Sequence, residues 1–272
     1  MTSKSKALIA VAVVALIGVA AWWRSERVGP PATTAPPQEV APSAPVAEKP
    51  ASSEPSVQHP VDTSAAAPLA AADLTTALVE LFGRRAVASF VQTDDFPRRV
   101  AATVDNLGRT HAPAIMWPVN PTPGAFTVEE SNGATIIATA NSARYTPFVL
   151  LVETVDVGRA VSLYKRMYPL LQQAYEELGF PKRYFNDRLV EIIDVLLATP
   201  AADYPLEVQL VEVKGPVPSL RPWVRYEFVD SSLESLTAGQ KILLRVGPVN
   251  QRRLKARLTE IRQAIAMNAP AR

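Results

Sequence analysis

"YFNDRLVEIIDVLLATP", Tyr184 to Pro200, decides how the chain is read, because it joins a dense polar start to a sustained apolar stripe. Leu189, Ile192, Ile193, Leu196 and Leu197 recur at the spacing that an amphipathic helix buries. With Asn186 as the N-cap, Asp187, Glu191 and Asp194 fall on the opposite face. A carboxylate in the first turn gains roughly 0.3–1 kcal/mol from the helix dipole. That accounts for Asp187 but not for Asp194. Acids sharing one stripe repel unless a cation meets them. The C-terminal stretch "NQRRLKARLTEIRQAI" offers Arg252, Arg253, Lys255 and Arg257 around a seam of Leu254, Leu258, Ile261 and Ile265. The cluster therefore reads first as a helix start with a solvated or salt-bridged face, then as a binding surface, and last as a catalytic or metal site.

The segment before it ends on a strong stop signal. In "YEELGFP", Gly179 can take the left-handed cap, Phe180 can fold back on Tyr175, and Pro181 bars continuation. A helix over 163–178 carries Tyr164, Tyr168, Leu171 and Tyr175 on one stripe, and Pro169 inside it is expected to kink or split it. Those tyrosines, with Tyr145 and Tyr184, read as core with hydroxyls at the rim, or as the lining of a sugar- or peptide-binding groove.

Further upstream, Asp73 can cap a helix with Leu74, Leu78, Leu81 and Phe82, ended by Gly83. Asp94 or Asp95 can start another, with Phe96, Val100, Val104 and Leu107 inward and Gly108 as its stop. "AFTVEESNGATIIAT", Ala125 to Thr139, alternates around Asn132-Gly133 and predicts a hairpin. Asn141 or Ser142 then starts a helix through Tyr145, Phe148, Val149 and Val152. Val208 to Val213 and Val224 to Phe228 form a second strand pair, and 233–267 holds two helices separated by Gly247-Pro248. The fold expected is mainly α: one compact helical domain over 69–267 with two small β-hairpins, followed by a tail over 268–272.

The N-terminal part has a different character. Residues 1–6 carry Lys4 and Lys6, and Ala7 to Trp23, "ALIAVAVVALIGVAAWW", is uncharged and apolar. Its length is at the short end of the roughly 17–25 residues that cross a bilayer as a helix. We read 7–23 as a single transmembrane helix with its N-terminus inside and Trp22 and Trp23 at the far interface. A cleaved signal peptide is the competing reading, since Val19 and Ala21 satisfy a small-residue cleavage pattern. From 24 to 68 proline recurs every few residues, which predicts a disordered Pro/Ala-rich linker. About 40 such residues at ~3.1 Å each extend at most roughly 120 Å. For a bacterial chain this places the folded domain in the periplasm, anchored in the inner membrane.

Composition narrows the chemistry. With 0 cysteines the chain has no disulfide, no thiolate nucleophile and no sulfur-ligated zinc. A net charge of +2 argues neither for nor against an acidic partner, and nucleic acid is not expected outside the cytoplasm. The only histidines are His59 in the linker and His111 in a loop, neither at helical spacing from the acids, so no metal and no cofactor is assigned. No Gly-rich phosphate loop and no GxSxG elbow occurs. Two carboxylates could still perform acid–base hydrolysis.

"TVDNL" (103–107), "ARY" (143–145), "YPLLQQAYEELGFP" (168–181), "YFNDRLVEIIDVLLATP" and "AGQKILLRVGP" (238–248) resemble domain-of-unknown-function family 3014. The resemblance implies the plan already read, a membrane span, a proline-rich linker and one domain, and it brings no established activity. "NLGRTHAPAIMWP", 106–118, departs from the expected basic, proline-bearing loop, which sets His111 and Trp117 apart. The function expected is a membrane-anchored envelope interaction module that binds an envelope protein or cell-wall component. Arg144, Tyr145, Asn186, Asp187, Arg188 and Glu191 are its candidate partner- or ligand-binding residues, and no catalytic residue is assigned. A carboxylate-dependent envelope hydrolase is the alternative.

Overall fold

The computed structural model describes residues 56–64, 67–212 and 221–266. The apolar stretch 7–23, most of the linker and the tail 268–272 lie outside the described residues. Among the described residues no helix is long and apolar enough to cross a membrane.

The domain is mainly helical, as its periodicities predict. After a short 3-10 turn at Ala71–Asp73 come α1 (Leu74–Phe82), α2 (Arg84–Phe90) and α3 (Phe96–Leu107). Then follow α4 (Thr139–Ala143), α5 (Thr146–Glu153), α6 (Val157–Glu177) and α7 (Phe185–Leu197). The described residues close with α8 (Ser231–Glu234), α9 (Ala238–Arg245) and α10 (Pro248–Ala266). The quoted stretch forms α7, which packs on α3, α6, α9 and α10. Phe185, Leu189, Val190, Ile192, Ile193 and Leu196 are all buried there. Phe96, Val100, Val104 and Leu107 of α3 and Leu254, Leu258, Ile261 and Ile265 of α10 join the same core. Each of those stripes has the spacing read from sequence.

Two helices differ from expectation through proline. Pro169 does not split α6, which runs unbroken from Val157 to Glu177. The proline lies on the exposed side, while Leu163, Met167, Leu171, Ala174 and Tyr175 are buried on both sides of it. Packing of both halves on one core offsets the roughly 3 kcal/mol a proline costs inside a helix. The helix expected from Asn141 to Val152 is instead broken between α4 and α5. Pro147 has no N–H to give to the Ala143 carbonyl, so the helix must restart. At the end of α6, Gly179 has φ 101° and Phe180 stacks on Tyr175 with centroids 4.6 Å apart, as the stop signal requires.

The two small hairpins are present. β1 (Val128–Ser131) pairs antiparallel with β2 (Ala134–Ile137) across Asn132 and Gly133, both with positive φ. β3 (Val208–Leu210) pairs antiparallel with β4 (Tyr226–Phe228). The hairpins touch through Ile137 N–H donating to the Leu206 carbonyl at 3.0 Å. The outer edge of β4 is covered by side chains: Phe228 N–H donates to Glu234, and Arg245 donates to the Tyr226 carbonyl at 3.1 Å. Covering an edge in this way denies it to other strands.

α9 begins with a capping box between Thr237 and Gln240 and lies flat on α3 and α7 because Gly239 lets it. A Cβ at Gly239 would lie 2.5 Å from Leu196 Cδ2 and 3.2 Å from the Leu107 carbonyl oxygen. Gly239→Ala is therefore expected to destabilise the protein by about 1–3 kcal/mol, although alanine is the better helix former. Urea unfolding checks this; an unchanged or raised midpoint would show that the three helices have slack at this crossing.

Candidate functional site

The start of α7 is built differently from the sequence reading. Asn186 is not the N-cap. Tyr184 holds that position with φ −89° and ψ 121°, and Asn186 sits inside the first turn, fully buried. The cap comes from α6 instead: Phe185 N–H donates to Gln172 Oε1 at 2.8 Å, and Asn186 N–H approaches the Tyr168 hydroxyl at 3.4 Å. Tyr168 donates to the same Gln172 oxygen at 3.0 Å. An asparagine in sequence announces a cap only if its side chain is free to turn back on the backbone, and this one is occupied elsewhere.

Asn186 holds together segments distant in sequence. Its Oδ1 accepts from the Tyr164 hydroxyl at 2.8 Å, and its Nδ2 donates to the His59 carbonyl at 2.8 Å. Next to it, Asp187 accepts the Gln58 N–H at 3.0 Å and the His59 N–H at 2.7 Å. The Tyr184 hydroxyl accepts the Val61 N–H at 2.8 Å. Residues 58–61 thus lie as a strap across the start of α7. The sequence reading extends the disordered linker to residue 68; the structure places these residues on the domain. Composition hides the contact because the groups engaged are backbone N–H and C=O, which any non-proline residue supplies.

Arg188 points away from the strap, toward α3. Its Nε donates to Asp105 Oδ1 and its Nη2 to the Asp105 carbonyl, both at 3.1 Å, while Nη1 pairs with Glu191 at 2.9 Å. Arg109 closes on the other oxygen of Asp105, with Nε at 2.9 Å. The Asp105 side chain is 7% exposed and that of Arg188 15%, whereas Glu191 is 59% exposed. Burial pulls the Arg188 pKa down, but Glu191 and Asp105 more than offset it, leaving the guanidinium above its ordinary value. Asp105 sits within the "TVDNL" block and escaped the sequence reading, because its partner Arg188 is remote in the chain.

The acid stripe is dispersed rather than concentrated. Asp187 serves the strap, Glu191 pairs with Arg188, and Asp194 pairs with Arg262, whose Nη2 lies 2.9 Å from Oδ2. Arg262 is the cation of the C-terminal helix that meets the stripe, and Arg188 meets it from α7 itself. Arg253 pairs instead with Glu153, Arg257 donates to the Glu153 and Val155 carbonyls, and Lys255 donates to the Thr199 carbonyl. Among the described residues no group of His, Cys, Asp or Glu is arranged to hold a metal ion.

Arg144 and Tyr145 belong to another neighbourhood. Arg144 donates to the carbonyls of Pro123 at 3.0 Å and Gly124 at 2.6 Å and to Asn141 Oδ1 at 2.8 Å, clamping the loop before β1. Tyr145 is 2% exposed beneath that guanidinium, and burial raises its pKa. The tyrosine stripe divides as well. Tyr168 and Tyr175 are core, while Tyr164 and Tyr184 turn their hydroxyls to Asn186 and the strap. Burial raises Tyr164 and Tyr168 far above the phenol range, so both stay neutral donors.

The model of a family described as a protein of unknown function, DUF3014, matches residues 96–262. The chain belongs to that family. The match covers α3 to most of α10, including Tyr184, Asn186, Asp187, Arg188 and Asp105, and leaves out the strap. No curated protein and no solved structure matches the chain.

Removing Arg188 leaves the buried Asp105 carboxylate with Arg109, whose side chain is 56% exposed, while Glu191 is mostly in water. Arg188→Ala is expected to cost about 1–3 kcal/mol and Glu191→Gln below about 1 kcal/mol, measured by denaturant unfolding. Equal costs would mean that the Asp105 pair contributes nothing beyond a surface ion pair.

Proposed function

We propose that this DUF3014 protein is a membrane-anchored envelope module that works by binding, with an inner-membrane helix at 7–23 and its folded domain in the periplasm. The observation that carries the binding reading is the strap: the start of α7 holds a separate segment of chain, bent at Gln58 and His59, by its backbone, as a peptide-binding surface does. The apolar run after Lys4 and Lys6 and the proline-rich stretch behind it support the anchored arrangement. Its partner is an envelope protein or a cell-wall component.

The hydrolase alternative is weaker. Acid–base hydrolysis needs two carboxylates facing one substrate, about 5–10 Å apart. Asp187, Glu191 and Asp194 are each engaged by a different neighbour.

Protease treatment of cells carrying the C-terminally tagged full chain tests the placement. The domain is expected to resist in intact cells and to be digested once the outer membrane is opened. Resistance until the inner membrane is lysed would contradict a periplasmic domain. In-cell crosslinking of the same protein is expected to capture a defined envelope component; capture of nothing above background would contradict the binding role.

A further inference from the structure

The strap is held by a pattern rather than by its side chains. Two successive N–H groups, from Gln58 and His59, point at one carboxylate of Asp187. The His59 carbonyl takes the Asn186 amide, and two residues on the Val61 N–H meets the Tyr184 hydroxyl. Val61 is the strap residue whose side chain packs against the main core, and it is only partly buried. Pro60 falls at the position where no N–H is used. Successive N–H groups point to opposite sides of an extended strand, so two that converge on one carboxylate belong to the bend at Gln58 and His59, a backbone nest for an anion, with a small apolar side chain giving register.

The strap is also loosely committed. Val57 is 50% exposed, Gln58 is exposed, and His59 Nδ1 is enclosed without a hydrogen-bond partner among the described residues. The chain rejoins the domain at Leu69, whose N–H donates to the Arg166 carbonyl at 2.9 Å, and Leu69 and the helices that follow supply the fully buried core. Residues 56–64 can therefore lift off without dismantling α1 to α10.

We propose that the face made by Tyr184, Asn186 and Asp187 is a peptide-binding site that the chain's own strap occupies in cis. A partner displaces the strap with a segment of the same chemistry and the same bend: two residues with free N–H groups, then proline, then a small apolar residue. This deepens the binding reading given above and rests on it. A tethered segment acts at an effective concentration of order mM, so the closed form prevails until a partner presents such a segment at high local concentration. The strap is then an autoinhibitory contact as well as the end of the linker.

The test uses the full chain in detergent and a fluorescent peptide, SVQHPVDTS, copying residues 56–64. Val61→Asp opens the strap, and replacement of residues 56–64 by a glycine–serine stretch serves as a second opened form should Val61→Asp misfold. The peptide is expected to bind the opened forms at least 10-fold more tightly than wild type, and Asp187→Asn added to an opened form is expected to abolish binding. Equal binding to wild type and opened forms, no binding to either, or binding indifferent to Asp187→Asn would overturn the proposal. A wild-type dimer that the peptide dissociates would overturn cis occupancy, since the strap would then be exchanged between copies. Peptide titration does not depend on where the protein resides, so its failure is distinguishable from failure of the periplasmic placement.

Discussion

The structure depends on satisfying the polar groups that α7 carries into the interior. A buried amide without partners costs a few kcal/mol, and a buried unpaired charge costs more. Asn186 is fully enclosed and Asp105 almost so, and both sit where α7 meets its neighbours. Asn186 draws its partners from Tyr164 and Tyr168 on α6 and His59 on the strap, and Asp105 draws its own from Arg188 on α7 and from Arg109. Apolar packing alone would let these elements slide. The polar contacts fix their register, because a slip of one turn would strand several groups at once.

That arrangement explains why the start of α7 resembles a functional site in sequence. Asn186, Asp187 and Arg188 are successive residues, so they leave the helix in three directions: inward, toward the strap, and toward α3. Polar residues gathered in sequence are thus dispersed in space. Asp187 and Asn186 both engage backbone groups of the strap, the first accepting two N–H groups and the second donating to the His59 carbonyl, which is why binding is read there and not at Arg188.

Much of the fold was legible. Apolar spacing located α1, α3, α6, α7 and α10, Asn132-Gly133 located the first hairpin, and "ELGFP" located the end of α6, because each is a local signal with a local cause. Local signals failed where remote packing competed with them. Pro169 was overruled by burial on both sides of it, and Asn186 lost its capping role to Gln172 and Tyr168. Of the site, the residue types were legible but their partners were not. Asp105 and Arg188 are 83 positions apart, and Asp187 and His59 are 128 apart. The strap was hidden more deeply, since a proline-rich segment held by its backbone carries almost no side-chain signature.

The central claim, that Asp187 holds the strap on the domain, is tested most directly by amide hydrogen exchange in the full chain. The N–H groups of Gln58, His59 and Val61 are predicted to be protected in the wild type. In Asp187→Asn, Gln58 and His59 should exchange freely while the amides of α6 and α7 keep their protection. Free exchange of the strap amides in the wild type, or unchanged protection in the variant, would contradict the account.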